Sequence, residues 1–275
     1  MLAVLGAIET EPLAAQTVIQ LGPLGVTNSM LFGALSAGLT LGLLGWAASK
    51  SRLLPLSRLS YYIESLVGFI LDIAVESFGS RRKALIHLPF LATLFTFIFI
   101  SNLSGLIPGV GTIHTLSGGQ EVSLLRPFTT DLNATLALAI LTIGLVQFYA
   151  IRELGWLGHL KHYFSDRPWR PMNLFIGLNE VFSELLRIVT LSMRLFGVIY
   201  AGEVLIHAIA QLSGNFAWAA TLPVIFLEIF FSAVQAYIFM MLTATYLSIA
   251  TDSMEPVNQK VSAKAKMSAS TATVS

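Results

Sequence analysis

The chain contains no cysteine. Disulfides, thiolate metal sites and cysteine nucleophiles are excluded, and the redox compartment stays undetermined. Charge is also scarce. Only 11% of the 275 residues are Asp, Glu, Lys or Arg, against about 25% in a soluble domain. The net charge of +1 offers nucleic acid little to hold, so no nucleic-acid partner is expected. No basic stretch precedes a short apolar core at the start, so no cleavable signal peptide is expected. There is no Gly-rich phosphate loop and no Ser/His/Asp arrangement. His87, His114, His159 and His162 fall at span ends or in loops and suggest no metal site. His207 sits on an apolar run, where a local hydrogen bond would satisfy it. No half of the chain is duplicated, which argues against a two-repeat transporter. A chain without these features is expected to carry no catalytic site and no cofactor.

What is present is apolar length. Hydrophobic residues make up 55% of the chain, in runs long enough to cross a bilayer as helices. The expected fold is an all-α integral membrane protein with about five crossing helices and one interfacial amphipathic helix. Segment 1–26 is expected to lie outside. A single transmembrane domain over 27–251 follows, with spans at 27–48, 88–107 and 132–151 and a hairpin of 173–212 and 217–250. The 252–275 tail, rich in Ser, Ala and Lys, reads as disordered. Gly105, Pro108 and Gly109 should stop the second span, and Thr130 or Asp131 should cap the third. Segment 58–79 mixes apolar residues with Asp72 and Glu76 four apart, so it reads as a helix lying in the interface. Basic clusters at 50–58, 81–83 and 152–170, and the lysines of the tail, mark the cytoplasmic side. The N-terminus, the 108–131 loop and the turn near 214 then face outward.

The last two runs are too long. A continuous helix over 173–212 would extend about 60 Å, and the hydrocarbon layer is about 30 Å thick. A straight helix would tilt by about 60° from the normal, so a strongly tilted hairpin is expected, showing a long flank to a partner. Its polar residues fall into layers. Ser183, Arg187 and Arg194 form one stripe, continued by Gly197 and Ala201; small residues beside a charge permit close approach of another helix. Folding the hairpin about residue 215 sets Gln235 across from Arg194 and Glu228 across from Glu203.

Arg194 is the residue that demands a reason, because a charge at bilayer depth costs about 3 kcal/mol or more. It could lock helices together, but no acid of this chain lies at its level, which points to a partner in another subunit. Glu203 and Glu228 could be surface groups near the turn; alternatively, two carboxylates at one depth tend to share a proton, which suits a relay. Gln235 could be a plain interhelical hydrogen bond. Glu180 and Glu184 could line a second aqueous path or sit among headgroups, with Glu180 the favoured path residue. Arg187 reads as an interfacial anchor. Asp131 reads equally as a cap or as a channel residue, with Asn133 beside it.

The stretches ISNLSGLIPG (100–109), TTDLNATLALA (129–139), SMRLFGVIYAGE (192–203) and VQAYIFMMLTATYLS (234–248) resemble subunit a of the rotary F-type ATP synthase in its bacterial form. The likeness runs from about residue 60 to residue 250. It implies a multi-pass stator subunit of a bacterial inner membrane beside a ring of c subunits, in a large complex with peripheral-stalk b subunits. It further implies that Arg194 faces the ring carboxylates, that Gln235 stands opposite it, and that Glu203, Glu228, Glu180 and Asp131 belong to two proton half-channels, with Arg187, Ser183 and Asn133 in support. Two departures stand out. Val198 replaces the Asn usual in that motif, and Glu228 occupies the place where many members carry a His.

Overall fold

The computed structural model describes residues 17–21, 24–50, 58–107, 114–117, 120–123, 126–155 and 171–252. Six α-helices account for most of them: α1 (Asn28–Lys50), α2 (Arg58–Phe78), α3 (Arg81–Gly105), α4 (Leu132–Leu154), α5 (Pro171–Ser213) and α6 (Ala217–Asp252). Five of these are long and apolar enough to cross a membrane, and α2 is not among them. The expectation of an all-α membrane protein with five long helices and one amphipathic helix holds. The basic cluster at 81–83 is the first turn of α3 rather than a loop, so this helix begins seven residues before the expected span and carries Pro89 inside it.

Two short antiparallel hairpins had no signal in the sequence reading. β1 (Thr17–Leu21) pairs with β2 (Leu24–Thr27), and β3 (His114–Ser117) pairs with β4 (Gln120–Ser123). The expectations for segments 1–16, 51–57, 108–113, 156–170 and 253–275, including the C-terminal tail, lie outside the described residues.

The turns follow from local chemistry. Gly79 takes φ 62°, which L side chains rarely adopt, and its N–H closes the end of α2 on the Val75 carbonyl at 2.9 Å. Gly214 takes φ 50° in the single 3₁₀ turn, Gly214–Phe216, that joins α5 to α6. Helix α5 runs unbroken for 43 residues, about 65 Å at the helical rise. It cannot stand upright in a hydrocarbon layer of about 30 Å and must cross it obliquely.

The core lies where α3, α4, α5 and α6 meet. Leu191, Leu195 and Ile199 present one face of α5, and Ala236, Met240, Ala244 and Leu247 one face of α6. Leu91, Phe95 and Ile98 from α3 and Ile143 and Val146 from α4 complete it. Alanines at 236 and 244 let the backbones approach, as in other membrane helix pairs. Helix α2 packs Ile70 and Ala74 inward while Asp72 and Glu76 stay exposed, as their shared face requires. Ser248 of α6 donates to the Ser77 carbonyl at 2.8 Å and ties the end of α2 to the hairpin.

His87 does not sit at a span end. It is buried in α3, stacked on Phe78 at 5.1 Å and edge-on to Tyr149 at 5.1 Å. The start of α3 seven residues earlier brings its ring into the core.

Candidate functional site

The two faces of α5 differ. Leu191, Leu195, Ile199 and Gly202 are buried, whereas Thr190, Arg194, Gly197 and Ala201 are exposed on the other side. Steps of three and four residues keep each set on one stripe. Arg194 therefore stands on the open flank of the hairpin, bordered by a glycine and an alanine. Among the described residues it has no hydrogen-bond, ion-pair or ring partner.

Gln235 is buried at 3% exposure, and its Nε2 has no protein hydrogen-bond partner among the described residues. No hydrogen bond joins it to Arg194. The sequence pairing of the two concerns level along the hairpin, and their side chains differ in exposure.

Glu203 lies nine residues beyond Arg194, about 13 Å along the axis and half a turn around it. It lines a cavity of about 250 Å³ together with Asn102, Thr130, His207 and Glu228. That volume has room for several waters. Glu228 is 3% exposed, and its Oε1 has no protein hydrogen-bond partner among the described residues. Glu203 is close enough to act on it electrostatically. The expectation that these two carboxylates share a level is realised as two walls of one cavity.

Gly202 explains how Glu228 fits. It is buried, and a Cβ placed there would overlap the Glu228 carboxylate. Only a residue without a side chain lets this acid reach the α5 backbone. The sequence reading missed Gly202, and also Asn102, which is 1% exposed with both amide atoms unpartnered among the described residues. A Gly followed by Glu203, and an Asn inside an apolar run, were the available signals.

Asp131 is a cap. Its carboxylate accepts from the Asn133 N–H at 3.0 Å and from the Ser29 hydroxyl of α1 at 2.6 Å, and it is 3% exposed. It does not line the cavity; its neighbour Thr130 does. Asn133 itself is exposed. The loop arginine, Arg126, is buried beside them and donates to the Thr130 carbonyl at 3.1 Å.

At the other end of α5 the acids are partnered. Glu180 pairs with Arg187 at 3.7 Å, and the Arg187 guanidinium lies 4.9 Å from the centre of the Tyr246 ring. Arg187 thus anchors α5 to α6. Glu184 accepts from the Gln147 amide of α4. Ser183 donates to the Asn179 carbonyl at 2.8 Å and satisfies its own helix. Among the described residues no cluster of His, Asp and Glu could hold a metal ion.

The family model for the ATP synthase A chain matches residues 30–248. The chain belongs to this family. It is 31% identical over 232 residues to the ATP synthase subunit a of Moorella thermoacetica, covering 84% of this chain and 94% of the relative. With ATP synthase subunit a 2 of Pelobacter propionicus it shares 35% identity over 241 residues, 87% and 93% of the two chains. The subunit a of Acinetobacter baylyi is 32% identical over 234 residues, 78% and 79% of the two. Membership of the ATP synthase A-chain family assigns the chain to the proton-translocating membrane sector of a multi-subunit bacterial complex. Five apolar helices agree with a multi-pass subunit of that sector.

Proposed function

We propose that this A-chain subunit is the stator beside a c-subunit ring, and that it couples proton flow to rotation through two offset half-channels separated by Arg194. The observation that carries the reading is the position of Arg194. It is the exposed charge on the open flank of a hairpin, between a cavity holding Glu203 and Glu228 and a second acidic layer at Glu180.

The mechanism follows from charge. A proton enters from the outer side through the Glu203–Glu228 cavity and neutralises a ring carboxylate. The neutral site can turn into lipid, where a charge could not go without the cost of burial. After nearly a full turn it releases its proton into an inner path near Glu180. Glu180 and Glu203 lie far apart on α5, about 34 Å along the helix, so the two paths are offset, with Arg194 between them.

A guanidinium keeps its charge at every pH the cell meets. At about 4 Å and an effective dielectric near 20 it attracts a carboxylate by about 4 kcal/mol. One charge crossing 100 mV gains about 2.3 kcal/mol. The attraction stops the ring at each site, and the driving force is of the size needed to move it on. The same charge repels a bare proton and keeps the half-channels from joining.

In this reading Gln235 lies under the Arg194 layer, while Asp131 and Asn133 hold the outer end of α4 in place. Arg187 and Ser183 support the inner end. Peripheral-stalk b subunits bind elsewhere on the same chain. The N-terminus is outside, the C-terminus is cytoplasmic, and the coupling ion is H⁺; ATP synthesis that required Na⁺ at fixed pH would contradict the last point.

Because the chain has no native cysteine, single cysteines report cleanly on what faces the ring. Cysteines at Met193, Gly197 and Ala201 should cross-link to a cysteine on the ring's carboxylate-bearing helix, and one at buried Leu195 should not. Equal yields at all four, or none at the exposed three, would contradict the proposed interface.

A further inference from the structure

His207 lies one turn beyond Glu203 on α5 and lines the same cavity. Its Nδ1 is 2.8 Å from the Glu203 carbonyl oxygen. A carbonyl only accepts, so Nδ1 carries the hydrogen in this bond. That fixes the tautomer: in the neutral ring, Nε2 is the basic nitrogen. The side chain is exposed rather than sealed in the core. Among the described residues, the ionisable side chains that share the cavity with it are Glu203 on its own helix and Glu228 on α6. Helix α3 and the 127–130 segment contribute Asn102 and Thr130, which carry no charge. An imidazole can both accept and donate a proton and serves as a proton shuttle where water reaches it.

We propose that His207 is the proton-collecting residue of the cavity, taking protons from water at Nε2 and delivering them to the Glu203–Glu228 layer. This rests on the reading of the cavity as the proton inlet. The step balances without a co-reactant. Hydronium gives its proton to Nε2, forming imidazolium and water. Imidazolium then returns that proton from Nε2, through cavity water, to a carboxylate oxygen. The Nδ1–H bond to the Glu203 carbonyl stays in place throughout, so the ring need not flip between cycles. A purely local role, satisfying the helix backbone, would not require the ring to line a cavity shared with two carboxylates.

The test uses the whole ATP synthase in vesicles. Proton-driven ATP synthesis is measured against the pH of the compartment that feeds the cavity, with the potential and the pH on the ATP side held fixed. His207→Gln retains an amide that can bond to the Glu203 carbonyl but cannot shuttle a proton. It is expected to lower the rate about fivefold near pH 8, where protons are scarce and a collecting group matters, and to leave it nearly unchanged near pH 5.5, where they are abundant. Imidazole added to the feeding compartment should restore the rate of His207→Ala. If that variant fails to assemble, the His207→Gln profile decides alone. A profile identical to the parent's, or a loss equal at every pH, would overturn the proposal. Glu228→Gln is run in parallel. If it loses flux while His207→Gln does not, only the role of His207 fails. If both run like the parent, the cavity is not the inlet and the broader reading fails with it.

Discussion

The two ends of α5 carry the same residue type in opposite settings. At the hairpin end, Glu203 and Glu228 face one cavity, with no arginine or lysine in its lining among the described residues. At the other end, Glu180 is ion-paired to Arg187 and Glu184 is held by the Gln147 amide. A carboxylate that lines a cavity beside a second carboxylate is placed to exchange protons with it. One tied to a guanidinium or an amide also holds helices in register. The difference teaches that the number of acids along a membrane helix says little about a proton path. What their oxygens touch decides which acids can work and which must also hold the fold.

The contrast breaks most sharply at Gly202. Gly202→Ala puts a methyl group where the Glu228 carboxylate sits, so the end of that side chain must move away. ATP-driven proton pumping should fall by about tenfold, the equivalent of about 1.4 kcal/mol in a rate-controlling equilibrium, with the complex still assembled. Pumping at the parental level would show that Glu228 need not contact the α5 backbone.

A smaller effect is expected at the other end. Glu180→Gln removes an ionisable group from the inner path and half of an ion pair. The pair is partly solvent-exposed, so its loss should cost no more than about 1 kcal/mol of stability. Proton flux should nevertheless drop severalfold if Glu180 carries protons. A change in thermal stability without a change in flux would reduce Glu180 to an anchor.

Gln147→Leu sharpens the comparison further. It removes one hydrogen bond to a carboxylate between α4 and α5, so the melting temperature of the purified complex should fall by the equivalent of about 1–3 kcal/mol, with flux per assembled complex nearly unchanged. Ser29→Ala removes the 2.6 Å bond that ties α1 to Asp131. A loss of about 1–2 kcal/mol and retained pumping are expected. Abolished pumping would instead make Asp131 a proton carrier.

Much of this arrangement is legible in the sequence. The apolar runs mark the five long helices, and the excess length of α5 and α6 demands an oblique hairpin. A period of 3.6 residues separates the Arg194 stripe from Glu203, and the spacing of Glu228 and Gln235 matches those layers across the turn. Other features depend on how helices rotate against each other, which no periodicity encodes. Gly202 looks like any small residue until Glu228 is seen against it. Gln147 and Glu184 lie 37 positions apart, with nothing local to pair them. Asp131 satisfies both the cap and the channel reading in sequence, and its Ser29 partner comes from a helix a hundred residues away. His87 looks like a span-end residue because the helix starts in a basic cluster that resembles a loop.

The most direct measurement is made on Arg194→Ala in the assembled complex in vesicles, recording passive proton leak through the membrane sector under an imposed potential together with ATP-driven pumping. Pumping is expected to be lost while the leak is intact or increased, because the barrier between the half-channels is gone. Pumping preserved near the parental level would make Arg194 structural and contradict the central claim.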